Sequence, residues 1–560
     1  AVGCLIFSDP RDDGYAGDSV FPNGPMRPRE GVQRGSVADM PVYPGDPLTP
    51  GVGATANAKR LDIKDAKTIT KIPVLPISYG DAEPLLAALG GPVAPEQWRG
   101  GLPLTYRLGG SGPARAHLVV KSDWSLKPLY DVIARLPGTS EADEWVIRGN
   151  HHDAWVNGAE DPISRLVAEL EEARALGTVY KSGWRPKRTI IYAAWDGEEP
   201  GLLGSTEWAE THADELRAHA VAYLNSDTND RGLLGVEGSH TLERLINDVA
   251  RDVDDPEAHT SVWKREAAAA ISQGGAGRTA ARASGDLPIG ALGSGSDFTP
   301  FLQHLGIASL NLGFGGEDDA GIYHSIYDDF YWYTHFSDTS FVFGRALAQV
   351  TGTAVMRLAD ADLLPFRFSN LSSTVTEYVH EIQKLRDTRA EDIAERNRQR
   401  DEGTFAALND PRRPTEPPPA EMPAPQLEFA ALLNAADSLE HAAARYETAY
   451  ERWSASNSGV TQAGAAVDAR TLTAINAQLL RSERLLTAES GLPGRPWYQH
   501  LLYAPGLYTG YGVKTMPGAR EAIEQGQWVA AESEMKRIAA ALDNEAALVS
   551  QAAVALAGVK

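Results

Sequence analysis

The chain has 560 residues, which is too long for one ordinary hydrophobic core, so we expect about two to four domains. Hydrophobic residues make up 43% and charged residues 23% of the chain, a composition typical of soluble globular proteins. The net charge of -23 argues against nucleic acid and anionic membranes as partners, because both select basic surfaces. No run of residues approaches the roughly 20 apolar residues that a membrane helix requires.

The cysteine content and the first residues bear on the cellular compartment. Cys4 is the single cysteine, so an intrachain disulfide is excluded. This fits a reducing compartment and equally an exported protein without bridges. The chain starts at Ala1 with a strand-like run and without the usual pattern of a signal peptide. We therefore expect that further residues, including any export signal, precede Ala1.

Residues 1–125 are rich in glycine and proline and predict a β-rich or mixed accessory domain. Short apolar runs that suit strands occur at residues 2–7, 72–77 and 118–120. A helical pattern covers residues 82–89.

Residues 126–365 alternate short apolar strands with amphipathic helices. The strands contain WVIRGN, TIIYAAWD, VAYLNSD and IASLNLGF, and the helical pattern LVAELEEARALG lies between the first two. This alternation predicts an α/β domain with a mixed, mostly parallel sheet and helices on both faces. Residues 274–287 predict a flexible loop within it.

Residues 366–560 carry helical periodicity and predict a C-terminal helical bundle. The apolar residues repeat with the helical period in four segments, namely residues 376–399, 427–456, 472–489 and 519–557. The proline-rich residues 409–425 separate the first two segments and predict a long loop.

Five residues of metal-ligating type lie at or near the predicted strand ends: His151, Asp161, Glu199, Asp227 and His324. The carboxyl ends of parallel strands meet at one edge of a sheet, so these side chains can converge. Imidazoles and carboxylates suit Zn²⁺, and one bridging carboxylate would let five residues hold two ions about 3.5–4 Å apart with a shared hydroxide. Taken singly, each position is more typical of a surface or capping residue. Together they predict a centre that hydrolyses peptide bonds.

The sequence around these residues supports two further predictions. Glu198 precedes Glu199, and because adjacent side chains diverge, it is the candidate general base. Asp161 precedes Pro162 and a helical pattern, so it is predicted to begin a helix.

The motifs HHDAWVNGAEDP, WDGEEPGLLGSTEWAE, AYLNSD, LGSGSDF and YHSIYDD closely resemble those of the co-catalytic zinc aminopeptidase and carboxypeptidase class. The resemblance is to its glutamate carboxypeptidase and transferrin-receptor-like branch, and it extends to GVQRG, GDPLTPG and GRPWYQHLLYAP. It implies a protease-associated domain in residues 1–125, of which only the later portion is present. It further implies a di-zinc peptidase domain in residues 126–365 and a helical domain in residues 366–560 that forms a homodimer.

The resemblance also implies roles for single residues. Asp161 would bridge two zinc ions, with His151 and Asp227 completing one and Glu199 and His324 the other. Glu198 would be the base, Tyr323 would stabilise the oxyanion through its hydroxyl, and Asp153 would support an imidazole. A structural calcium ion is implied near Thr49, Glu207 and Glu210, where Val52 replaces an expected tyrosine. Substrate contacts are implied for Ser294, Gly295, Ser296 and Tyr511.

Several positions depart from the glutamate-specific members of that branch. Asn311 and Gly313 stand where those members have arginines, Ser296 replaces an asparagine, and Gly510 replaces a lysine. A buried carboxylate without a cationic partner is costly, so we expect a neutral or hydrophobic peptide end to be preferred. Arg165 replaces a glycine, where it either pairs with a carboxylate or crowds the helix start. We expect Arg165→Gly to leave activity unchanged or to raise it.

The leading hypothesis is a di-zinc exopeptidase that cleaves short peptides as a carboxypeptidase or dipeptidase, through a metal-bridging hydroxide. An aminopeptidase of the same class is the first alternative, since a free amine needs a nearby carboxylate whereas a free carboxylate needs Arg, Lys or Tyr. The second alternative is a receptor-like or scaffolding homologue with a vestigial site, against which the intact Glu198 argues. The resemblance favours export over a cytoplasmic location and leaves the latter open.

Overall fold

A computed structural model describes residues 1–11, 19–110, 115–283, 285–318, 320–409, 411, 416–457 and 469–559. The chain forms two compact units. The first comprises Ala1–Gly238, Leu242–Gly290 and Gly295–Ala361, and the second comprises Ser239–Thr241, Ala291–Ser294 and Asp362–Lys560. The predicted accessory domain falls in the first unit, as does the predicted peptidase domain except for residues 239–241, 291–294 and 362–365, and the boundaries at 125 and 365 stay predictions.

The described residues form ten strands. In chain order they are β1 (Cys4–Ile6), β2 (Val74–Pro76), β3 (Val132–Leu136), β4 (Glu141–His151), β5 (Arg188–Trp195), β6 (Ala220–Asn225), β7 (Gly232–Gly238), β8 (Ser309–Gly316), β9 (Tyr503–Pro505) and β10 (Val513–Thr515).

The α-helices among the described residues fall into two groups. Those of the first unit are α1 (Tyr79–Ala87), α2 (Ser164–Lys181), α3 (Leu203–Thr211), α4 (Ala213–His219), α5 (Glu243–Asp252), α6 (Val262–Gln273), α7 (Gly275–Ala283), α8 (Phe330–Phe336) and α9 (Val342–Asp360). Those of the second unit are α10 (Ser369–Asp401), α11 (Thr404–Ala407), α12 (Ala430–Asn457), α13 (Ala469–Leu479), α14 (Ser482–Leu485), α15 (Pro517–Glu524) and α16 (Trp528–Ala557).

A six-stranded sheet with the order β3-β5-β4-β6-β8-β7 forms the centre of the first unit. Its four inner strands pair in parallel, while β3 and β7 are antiparallel edges, which confirms the mostly parallel sheet. Tyr192 of β5 donates a hydrogen bond to Glu172 of α2 (2.8 Å), and the ring of Trp195 lies 5.3 Å from that of Trp208 in α3. Since side chains alternate along a strand, these contacts place helices on both faces.

The region before residue 126 contains less β-structure than we predicted. Strands β1 and β2 form a parallel pair of three residues each, and residues 118–120 are not a strand. Helix α1 begins at Tyr79, three residues earlier than predicted, because the Ser78 side chain accepts a hydrogen bond from the Asp81 backbone N–H (3.0 Å). The described residues of this region are therefore mostly turns and irregular chain, and a protease-associated domain stays a prediction.

The loop prediction for residues 274–287 was wrong, because α7 occupies most of it. Its sequence GAGRTAARA is rich in alanine and arginine, which are strong helix formers. Gly275 and Gly277 lie within the helix, where glycine is tolerated at a cost in stability.

The second unit confirms the helical C-terminal region. Leu432, Leu439 and Tyr446 repeat every seven residues along α12 and are fully buried, as a helix with one packed face requires. Two predicted helices are each split. The break between α15 and α16 falls at Gly526, whose φ of 69° favours glycine. Residues 410 and 412–415 of the predicted proline-rich loop lie outside the described residues.

Candidate metal centre

The carboxyl edge of the parallel sheet brings the predicted residues together. His151 is the last residue of β4 and pairs with Trp195, the last residue of β5. Glu198 and Glu199 lie three and four residues beyond the end of β5, and Asp227 lies two residues beyond the end of β6. The strand-end argument made from the sequence therefore describes how these side chains converge.

Two groups of potential ligands share one carboxylate. His151 Nε2 lies 3.2 Å from Asp161 Oδ1 and 3.1 Å from Asp227 Oδ1. His324 Nε2 lies 3.0 Å from Asp161 Oδ2 and 3.1 Å from Glu199 Oε2. Asp161 thus directs one oxygen to each group, as a bridging ligand would.

The donor atoms fit zinc. In a tetrahedral zinc site with bonds of about 2.0–2.2 Å, the ligand atoms are about 3.3–3.5 Å apart. The nitrogen–oxygen separations of 3.0–3.2 Å lie close to that range. Asp161 Oδ1 is buried and accepts no hydrogen bond from the described residues, so it is available to an ion.

Backbone carbonyls orient both imidazoles. His151 Nδ1 lies 3.0 Å from the carbonyl oxygen of Asp153, and His324 Nδ1 lies 3.0 Å from that of Arg34. A carbonyl only accepts hydrogen bonds, so each Nδ1 carries the proton and each Nε2 presents its lone pair to the site. Arg34 also donates its backbone N–H to the His324 carbonyl (2.9 Å), which secures a residue whose φ is 56°. Sequence reasoning missed this role of Arg34, although it lies in the GVQRG motif.

The Asp153 carboxylate supports the segment that carries Glu198 and Glu199 more directly than it supports the His151 imidazole. Its carboxylate accepts the backbone N–H groups of Glu198 (2.9 Å) and Glu199 (3.2 Å). The distance from its Oδ1 to His151 Nδ1 is 3.6 Å, too long for a hydrogen bond. The other oxygen of Glu199, Oε1, accepts the N–H of Trp155 (3.1 Å), so Glu199 is fixed from two sides.

Asp328 holds the turn that carries the shared ligand, and we did not predict it. Its two oxygens accept the backbone N–H groups of Glu160 (2.6 Å) and Asp161 (3.1 Å). Asp161 is not the start of a helix as predicted: it has φ −111° and ψ 100° in a turn, and α2 begins at Ser164. Burial raises the pKa of Asp328 to about 7. Its presence in the YHSIYDD motif was the available signal.

The electrostatics of the site suit proton transfer. Burial raises the pKa of Glu198 well above its usual value, and the nearby Asp227 carboxylate adds to this, while His151 opposes it. The pKa of His324 is raised to about 9, because its contacts with Asp161 and Glu199 outweigh burial, which lowers it. A buried glutamate with a raised pKa can accept a proton and later return it.

The remaining predicted residues lie in different surroundings. The Tyr323 ring is 37% exposed and stacks on the His324 ring at a centroid distance of 3.6 Å. Ser296 is buried and its Oγ accepts a hydrogen bond from Asn225 Nδ2 (2.8 Å), beside Gly295, which has φ 103°. Ser294 and Tyr511 belong to the second unit, where the Ser294 N–H donates to the Tyr511 carbonyl (3.0 Å). Their substrate roles stay predictions.

The predicted calcium residues surround a loop of the first unit. Glu207 accepts the backbone N–H groups of Asp46 (2.7 Å) and Ala54 (2.5 Å), and Thr49 Oγ1 lies 3.4 Å from its Oε2. Glu210 Oε1 accepts the N–H of Gly51 (2.9 Å), and the Val52 side chain is 58% exposed. Burial and the nearby Glu210 charge raise the pKa of Glu207 to about 8.

Two histidine–carboxylate groups that share an aspartate, beside a buried glutamate, are able to hold metal, which is what a metallopeptidase requires of its site. The model of peptidase family M28 matches residues 131–340, and the model of the transferrin receptor-like dimerisation domain matches residues 427–550. The chain belongs to peptidase family M28, in the branch that carries this dimerisation domain. M28 peptidases are zinc-dependent.

Curated relatives carry two kinds of name. The chain is 34% identical to the probable glutamate carboxypeptidase LAMP1 of Arabidopsis thaliana, over 94% of this chain and 66% of the relative. It is 33% identical to a probable glutamate carboxypeptidase of Arthroderma benhamiae, over 98% and 70%. It is 30% identical to the aminopeptidase NAALADL1 of Mus musculus, again over 98% and 70%. The chain therefore spans about two thirds of the length of these relatives.

Solved structures with similarity include an aminopeptidase from Aneurinibacillus sp. strain AM-1, at 22% identity and a TM-score of 0.29 over 41% of this chain and 48% of that one. Within the described residues, no helix combines the length and the apolar character needed to cross a bilayer.

Proposed function

We propose that the chain is a di-zinc exopeptidase that hydrolyses short peptides, as a carboxypeptidase or dipeptidase without strict glutamate specificity. The observation that carries this proposal is the Asp161 carboxylate, which directs one oxygen to each of two ligand groups. His151 and Asp227 would hold one ion, and Glu199 and His324 the other. When bound, the ions supply Lewis acidity that lowers the pKa of a water molecule and polarises the peptide carbonyl.

Glu198 is the proposed general base. It removes a proton from the attacking water as the new C–O bond forms, and it delivers that proton to the amine nitrogen as the C–N bond breaks. Asp153 holds the Glu198 backbone N–H, so the base stays in position during both transfers. Tyr323 is the proposed donor to the developing oxyanion, and the stacking of its ring on His324 supports this role.

The choice of peptide end is tested with blocked and free dipeptides. We expect cleavage of N-acetylated dipeptides with a free carboxylate by the zinc-loaded protein. Cleavage of dipeptide amides with a free amine, without cleavage of the acetylated set, would instead assign aminopeptidase action. Relatives of this chain are named as a probable glutamate carboxypeptidase and as an aminopeptidase, so either outcome would match one group of relatives.

Three further parts of the proposal concern assembly, a structural ion and location. The match over residues 427–550 supports a homodimer formed through the C-terminal helical domain. The adjacent carboxylates of Glu207 and Glu210, with Thr49, support a structural Ca²⁺ site, since Ca²⁺ prefers oxygen ligands. Export of the protein is proposed on the resemblance alone.

A further inference from the structure

Arg165 is a buried cation that the proposed chemistry does not use. It is the second residue of α2 and only 8% exposed. Its Nε is shielded from solvent and has no hydrogen-bond partner among the described residues. Burial lowers its pKa to about 10, against the opposing charges of Asp227 and Asp230, so it stays charged at neutral pH. A buried charged donor without a partner is costly, which points to an anionic group that completes the site.

The guanidinium lies over a glycine of β8, beside the metal centre. A Cβ added to Gly313 would overlap the Arg165 guanidinium, so the absence of a side chain makes room for it. Asn311 pairs with Asn225 in the sheet register, and Gly313 and Asp227 each lie two residues further on. The Arg165 guanidinium therefore lies over the sheet, at the same position along the strands as the proposed zinc ligand Asp227.

Strand β8 itself provides no positively charged side chain at this place. Asn311, the neighbouring position on the same face, is uncharged, and its Oδ1 accepts a hydrogen bond from Asn225 Nδ2 (3.1 Å). Leu310, Leu312 and Phe314 are buried core residues. Helix α2 thus supplies positive charge where the strand supplies none.

We propose that Arg165 is a specificity-determining residue that binds a carboxylate of the peptide substrate next to the scissile bond. This rests on the proposed peptidase function. The planar guanidinium offers a fork of donors that matches a carboxylate, whereas an ammonium acts as a point charge. The carboxylate is either an acidic side chain or the free terminal group. The site then prefers acidic peptides, contrary to the neutral preference expected from the sequence. Removal of Arg165 should lower activity on those peptides, contrary to the sequence-based expectation for Arg165→Gly.

The kinetic test uses the zinc-loaded full chain and matched N-acetyl dipeptides that carry Glu or Gln at each position, with a free or amidated C-terminus. We expect the wild-type protein to prefer one carboxylate-bearing member. Arg165→Gln should then lower kcat/KM for that member about 10- to 100-fold through KM, the range of one lost charge-assisted pair, and leave its uncharged partner unchanged. The dipeptide whose kcat/KM falls shows whether Arg165 binds an acidic side chain or the free C-terminal carboxylate.

A second variant moves the guanidinium without altering it. Gly313→Ala should displace the flexible end of Arg165 and reproduce the loss on the acidic substrate. Gly235→Ala is the matched control: it lies directly opposite in β7, and its Cβ would meet only the Gly313 carbonyl at 3.5 Å, an ordinary contact. It should behave as wild type. Arg165→Lys keeps the charge without the fork and should give an intermediate loss.

A binding measurement keeps the outcome decisive if hydrolysis fails. Calorimetry compares N-acetylglutamate, N-acetylglutamine and N-acetylglutamine amide on wild-type and Arg165→Gln protein with equal zinc content. The proposal is supported if wild-type protein binds the ligand with one additional carboxylate more tightly and Arg165→Gln binds both ligands equally. This holds even if no peptide is hydrolysed, because absence of hydrolysis would refute only the peptidase function. Equal affinities, or equal losses on acidic and neutral ligands, would mean that Arg165 only balances Asp227 and Asp230, and would overturn it.

Discussion

Removal of the Asp328 carboxylate should disturb the metal centre although Asp328 is not among the proposed ligands. It accepts the backbone N–H groups of Glu160 and Asp161 at 2.6 and 3.1 Å. Asp328→Ala would leave both donors without a partner, at about 1–3 kcal/mol each, so we expect about 2–6 kcal/mol of local destabilisation. Because Asp161 would serve both ions, the apparent zinc affinity should fall about 10- to 100-fold, as for other residues that support ligands.

The assay is zinc competition with a chromogenic chelator, together with the urea midpoint of unfolding of the metal-free protein. Asp329→Ala is the matched control, since Asp329 accepts the Trp332 N–H (2.7 Å) as the cap of α8, whereas among the described residues it is Asp328 that accepts the N–H groups of Glu160 and Asp161. It should cost about 1 kcal/mol of stability and leave zinc affinity unchanged. Wild-type zinc affinity in Asp328→Ala would refute the reasoning.

Three further predictions concern proton transfer, metal uptake and the second unit. Glu198→Gln should retain zinc but lose activity about 10²- to 10⁴-fold in kcat, and loss of zinc in this variant would argue for a ligand role instead. In the metal-free protein the pKa of His324 is raised to about 9, so a proton must leave before zinc binds, and chelator competition should show zinc affinity rising from pH 6 to 9. Glu545 is fully buried, and burial raises its pKa from 4.5 to about 7. The folded state keeps this proton where the unfolded state has lost it, so stability falls as pH rises from 4.5 to 7, by about 3 kcal/mol in total. Glu545→Gln should therefore stabilise the protein against urea at pH 8 and not at pH 4, and equal effects at both would contradict this.

The sheet and the ligand types were predictable from the sequence for physical reasons. Runs such as TIIYAAW are apolar on both faces, which only a covered parallel strand tolerates, and polar residues directly after such runs must lie at one sheet edge. His151, Glu199 and Asp227 follow from this argument alone. His324 lies eight residues beyond the end of β8, so the strand-end argument places it less closely than the other three.

The parts that were not predicted depend on backbone contacts or on where a side chain points in the folded chain. Arg34 supports His324 through its carbonyl, which every residue type possesses, so its side chain gave no indication. The Asp328 contacts join residues more than 160 positions apart, so the YHSIYDD motif could single out Asp328 but could not indicate which backbone it holds. The sequence left open whether Arg165 pairs with a carboxylate or crowds the helix start. The answer depends on the space over Gly313, which lies in β8, far from α2 in the sequence. Helix α7 was not predicted, and it contains Gly275 and Gly277, which weaken a helical pattern in the sequence.

The central claim is that Asp161 joins two zinc ions in one catalytic centre. Metal content by mass spectrometry, measured alongside hydrolysis of the acetylated and free dipeptides, tests it most directly on wild-type protein and on Asp161→Ala. We predict two zinc ions per chain with cleavage in the wild type, and loss of both ions and of cleavage in the variant, because each ligand group contains an Asp161 oxygen. Two ions retained in Asp161→Ala, or a wild-type protein that binds no zinc, would contradict the account.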